Sequence, residues 1–134
     1  MSAFPSTILA SLLCLPLLGF AAPAASPTTV TPLIAKALAD AEGRELTMLE
    51  VRYAPGAVDP IHRHDAQVMV YVLEGEIVMQ VKGGPETRLR AGQTFYESPT
   101  DIHVVGRNAS TTQPARFLAV FVKNKDAPVL TLVP

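Results

Sequence analysis

Cysteine is nearly absent from this 134-residue chain; Cys14 is the only one. It stands inside an apolar leader. A chain that sheds the leader has no disulfide, no thiolate metal ligand and no cysteine nucleophile. Neither sign of charge dominates. The 11 Lys+Arg against 12 Asp+Glu give a formal net charge of −1. That balance excludes the concentrated basic surface that nucleic acid or an anionic membrane demands. Charged side chains are missing altogether before Lys36. A long apolar run is missing too. Ile8–Ala22 spans 15 residues with Pro16 inside it, whereas crossing a bilayer takes about 20. The chain also has no internal repeat, low-complexity tract or charge run.

What stands at the front instead is a short greasy segment followed by small residues. Ala22-Pro23-Ala24 fits an A-x-A cleavage signal. Residues 1–24 are therefore expected to be a signal peptide, which makes the protein secreted or periplasmic. After cleavage no stable membrane association is expected. Cys14 follows Ser11-Leu12-Leu13 and is followed by more apolar sequence, which does not suit a lipid anchor.

Residues 25–43 are read as a lead-in and a short helix. Thr31-Pro32 resembles an N-cap with proline at the first helical position. Ile34, Ala37, Leu38 and Ala41 fall on one helical face, and Gly43 would stop it. Residues 44–134 change to a strand pattern. The runs ELTMLEVRY, QVMVYVL, EIVMQV, ETRLR, TFYE, IHVVG, RFLAVFV and PVLTLV are separated by glycine and proline. About eight short strands at this spacing predict an all-β sandwich or barrel. In QVMVYVL both parities are mostly apolar, which predicts a strand buried on both faces. A homodimer pairing through PVLTLV is compatible with that apolar segment.

Only three histidines occur: His62, His64 and His103. On extended backbone, residues i and i+2 leave the same face. His62 and His64 can therefore share one ion, and His103 from a facing strand would complete a facial triad with open positions. The spacing suits a metal without requiring one.

The motifs around these histidines resemble those of small single-domain cupins. The first cupin motif, G-x5-H-x-H-x3-4-E-x6-G, aligns with Gly56, His62, His64 and Gly75, the last inside YVLEGE. The second, G-x5-P-x-G-x2-H-x3-N, aligns with Gly92, Pro99, His103 and Asn108. The resemblance implies a jelly-roll barrel, also called a double-stranded β-helix, with His62, His64 and His103 as metal ligands. The match has departures. Val68 occupies the glutamate position, and neighbouring Gln67 has the opposite parity. Asp101 replaces a glycine, and four residues separate His103 from Asn108. A three-histidine site is therefore expected, holding one divalent transition metal (Fe, Mn, Ni, Zn or Cu). Three neutral ligands leave the ion its full charge, which favours an anionic or chelating oxygen ligand.

The function expected is binding of a small oxygen-bearing molecule, with metal-dependent chemistry of dioxygenase or lyase type. The alternative is a noncatalytic small-molecule or metal-binding module. A thiol dioxygenase with a Cys–Tyr crosslink is excluded by the cysteine count. Tyr53, Tyr71, Tyr96, Gln80, Glu50 and Glu97 are candidates for supporting or acid–base roles. Gly56, Gly75 and Gly92 are expected to be turn glycines, and Asn108 a turn residue. Asn108-Ala109-Ser110 also matches a glycosylation sequon.

Overall fold

A computed structural model describes residues 27–134; the expected signal peptide, residues 1–24, lies outside the described residues. Ten strands run in chain order: β1 Thr28–Ala37, β2 Arg44–Tyr53, β3 His62–Arg63, β4 Gln67–Glu74, β5 Glu76–Val81, β6 Thr87–Arg90, β7 Thr94–Glu97, β8 His103–Asn108, β9 Ala115–Asn124 and β10 Thr131–Leu132. They form two five-stranded antiparallel sheets, ordered β1-β2-β9-β4-β7 and β10-β3-β8-β5-β6. This is the all-β architecture that the strand count and punctuation predict, in the jelly-roll form that the resemblance implies.

The core lies between the sheets. Alternate residues of the first sheet point inward: Leu49 and Val51 from β2, Val68, Val70 and Val72 from β4, and Phe117, Ala119 and Phe121 from β9. Ile77, Met79 and Leu89 come from the second sheet. Two expectations change here. β4 is buried on one face only, because Met69 and Tyr71 stand 52% and 46% exposed on the outside. The helix expected between Thr31 and Gly43 is absent. Its first part is β1, paired with β2 from Thr28↔Tyr53 to Ala37↔Glu45. A helix that short is marginal without an apolar partner. The free edge of β2 instead offers a row of backbone hydrogen bonds, and Thr28-Thr29-Val30-Thr31 suits extended backbone. Pro32 is accommodated where the register shifts, between Pro32 and Ile34. Gly43, expected as a helix stop, instead sits at φ 74° in the connection that follows the end of β1 at Ala37 and leads into β2.

Turn chemistry fixes the rest. Gly56, Gly75 and Gly92 all have positive φ. Gly75 is also sterically obligatory, since a Cβ there would lie 2.6 Å from the Pro114 carbonyl oxygen. Asn108 is buried. Its Nδ2 donates to the carbonyls of Ala54 at 3.0 Å and Gln113 at 2.8 Å, and its Oδ1 accepts from the Ser110 amide at 2.9 Å. It is a clamp between loops, and the sequon asparagine is spoken for by the fold. The PVLTLV segment supplies β10, whose Thr131 and Leu132 pair with Arg63 and His62 of β3.

Candidate metal centre

Three strand positions bring the histidines together. His62 and His103 are cross-strand partners on β3 and β8, and His64 follows β3 on the same face as His62. His62 and His103 are buried, and His64 is half-buried. Their nearest nitrogens are close: His62 Nε2 lies 3.1 Å from His64 Nε2 and 3.3 Å from His103 Nδ1. The i, i+2 parity brings His62 and His64 together, and His103 joins them from the neighbouring strand of the same sheet rather than from a facing one.

Hydrogen bonds on the far side of two rings set their tautomers. His62 Nδ1 donates to the Pro60 carbonyl at 2.8 Å, and His64 Nδ1 donates to the Val129 carbonyl. A neutral imidazole that donates from Nδ1 carries its lone pair on Nε2. Two lone pairs thus face each other across 3.1 Å, an arrangement that repels unless a cation or proton lies between them. Burial and the neighbouring histidines lower the pKa of His103 to about 4, and burial also lowers that of His64. Neutral imidazoles are the form that binds metal. The His103 nitrogen that faces the other rings is Nδ1; its Nε2, on the other side of the ring, is buried with no hydrogen-bond partner. These groups fit a divalent metal, and His62, His64 and His103 are the residues that would hold it.

A fourth group faces the cluster. Glu97, at the end of β7, is buried, with Oε2 3.5 Å from His103 Nδ1 and 3.7 Å from His64 Nε2. Burial, reinforced by Asp101, raises its pKa to about 7. Among the six acid–base candidates read from the sequence, Glu97 reaches the histidines. Tyr53 is also inside, donating its hydroxyl to Asp59 Oδ2, and burial holds its phenol far above the usual range. The other four lie elsewhere. Tyr71 and Tyr96 are exposed on the outer face, where the Tyr96 hydroxyl donates to Gln67 Oε1. Glu50 pairs with Arg52 and Arg116. Gln80 donates to the Gly84 carbonyl at 2.9 Å.

Asp59 escaped the sequence reading. It lies three residues before His62, and its Oδ1 accepts from Thr28 Oγ1 at 3.0 Å. Its position inside the G-x5-H spacer was the signal available. A cavity of about 120 Å³ connects these groups, lined by Asp59, Tyr53 and the histidines at its polar part and by Leu49, Val51 and Phe117 among its apolar walls. That space suits a small molecule. Gly106 beside it leaves room for the His103 ring and Asp59 Oδ2, which a Cβ would meet at 3.1–3.3 Å.

Residues 49–121 match the protein-family model described as Cupin domain. No curated protein matches the chain. Among solved structures, the DMSP lyase DddQ from Ruegeria pomeroyi DSS-3 superposes with a TM-score of 0.65 at 21% identity, covering 80% of this chain and 52% of that one. An oxalate oxidase in complex with the substrate analogue glycolate gives 0.62 at 26% identity, with 81% and 56% covered. TT1209 from Thermus thermophilus gives 0.58 at 26% identity, with 72% and 83% covered. This chain spans about half the length of the lyase and the oxidase.

Proposed function

The chain belongs to the cupin domain family, and on that premise we propose that it holds one divalent transition metal with His62, His64 and His103 and acts on a small oxygen-bearing molecule. The chemistry proposed is of dioxygenase or lyase type. The observation that carries the reading is the pair of opposed Nε2 lone pairs, fixed by the Pro60 and Val129 carbonyls. A bound divalent metal supplies Lewis acidity toward a ligand oxygen. The side chains supply the remainder. Leu49, Val51 and Phe117 give the cavity apolar walls, and a ligand that displaces water from it strengthens the polar interactions inside. Glu97 places a buried carboxylate against His64 and His103, beside the site the ion would occupy. Likeness to an oxalate oxidase at 26% identity supports a small oxygen-rich ligand.

Metal content measured by mass spectrometry tests the site. A stoichiometric ion is expected in the wild type and lost when His62 and His64 are both replaced by alanine; unchanged metal in that variant overturns the proposal. A screen of the metal-loaded protein against oxygen-dependent and lyase substrates then tests turnover, which His103→Ala should abolish. The second reading is a noncatalytic binding module. It is favoured by the mutual engagement of Tyr53 and Asp59, which leaves few free acid–base groups, and a screen without product would support it. Export and cleavage after Ala24 complete the proposal, checked by the mass of the mature N-terminus. Light scattering tests the homodimer.

A further inference from the structure

We infer that Glu97 is a direct fourth ligand of the metal, supplying from β7 the carboxylate that Val68 lacks on β4. This rests on the three-histidine site proposed above and changes its character. Val68 and Glu97 are direct cross-strand partners in the β4–β7 ladder. Both are buried, and both line the cavity. Cross-strand partners have Cβ atoms about 4.5–5.5 Å apart. A glutamate side chain is long enough to carry its carboxylate back across that distance, so the charge moves by one strand while its destination stays the same.

The distances agree with shared ligation. Around a four-coordinate ion with bonds of about 2.1 Å, neighbouring donor atoms stand about 3.4 Å apart. Four of the six pairs among His62 Nε2, His64 Nε2, His103 Nδ1 and Glu97 Oε2 stand at 3.1, 3.3, 3.5 and 3.7 Å, which bracket that value, and the three histidine donors all lie within 4.8 Å of one another. Glu97 also lacks a fixed cation. Among the described residues its ion-pair partners are His64 and His103 alone, with no lysine or arginine. A buried carboxylate so placed needs a positive partner when ionised. With it the ligand set has one negative charge, which favours retention of the ion and lowers its Lewis acidity below that of an all-neutral triad.

The test compares Co²⁺ affinity and the Co²⁺ visible absorption spectrum across variants. Glu97→Gln should weaken Co²⁺ binding at least about tenfold and alter the spectrum. The double exchange Val68→Glu with Glu97→Val returns the carboxylate to β4 and should recover affinity to within a fewfold of wild type. Unchanged affinity and spectrum in Glu97→Gln overturns the inference. So does weakened affinity with an unchanged spectrum, which would mark Glu97 as a positioning residue. If His62→Ala also leaves Co²⁺ binding unchanged, the three-histidine reading itself fails. If His62→Ala abolishes binding while Glu97→Gln does not weaken it, only the role of Glu97 fails. Should Glu97→Gln not fold, the double exchange decides: no recovery of binding in a folded exchange variant overturns the inference.

Discussion

In the metal-free protein, Glu97 and His103 should impose opposite pH dependences on stability that nearly cancel, and Glu97→Gln should expose the cancellation. Glu97 has its folded pKa raised from 4.5 to about 7. As pH climbs through that window the unfolded chain releases the proton and the folded chain keeps it, so stability falls. At about 1.4 kcal/mol per pH unit the loss is about 3 kcal/mol, complete above pH 7. His103 has its folded pKa lowered from 6.5 to about 4. Between those values the unfolded chain binds a proton that the folded chain has released, so stability rises with pH, again by about 3 kcal/mol. His64, also lowered, adds to the rising side. The wild type should therefore be nearly flat or gently rising from about pH 4.5 to 6.5. Glu97→Gln deletes the falling contribution. Relative to wild type, its stability should climb by about 3 kcal/mol between about pH 4.5 and 7.5, a melting-temperature difference above about 10 °C for a domain of this size. Urea titrations of chelator-treated wild type and variant at several pH values would measure it. A stability difference that stays constant across that range would refute the reasoning.

Two further substitutions probe the frame around the site. Gly75→Ala places a Cβ against the Pro114 carbonyl at positive φ and should cost about 2 kcal/mol or more, read as a shifted urea midpoint with metal stoichiometry retained. Asn108→Ala strands the Gln113 carbonyl and the Ser110 amide and takes one of two donors from the Ala54 carbonyl, which keeps the Ala57 amide; a loss of about 2–4 kcal/mol is expected, with rapid amide exchange at Ser110 as the local signature.

The strands and the His62–His64 pair were legible because both follow from parity, while His103 joined them through the motif resemblance. Alternation assigns Val68, Val70 and Val72 to one face, and the i, i+2 spacing puts His62 and His64 together whatever their neighbours. Glu97 could only be a candidate, because its meaning depends on facing Val68 across a ladder whose register no local pattern states. β1 was misread for a related reason. Ile34, Ala37, Leu38 and Ala41 satisfy helical periodicity, yet the open edge of β2, distant in sequence for much of its length, decides the conformation. The tautomer of His64 likewise depends on a carbonyl 65 residues away.

That last bond has a consequence in time. At about 5–20 residues per second, synthesis reaches Val129 roughly 3–13 s after His64. Until then His64 lacks the acceptor that orients its ring, and β3 lacks β10 beside it. The geometry that brings the H-x-H pair to its final orientation is therefore complete only once the C-terminal segment is in place. On the proposed reading, the choice among competing ions would fall to the finished barrel and to the ions around it once folding is complete.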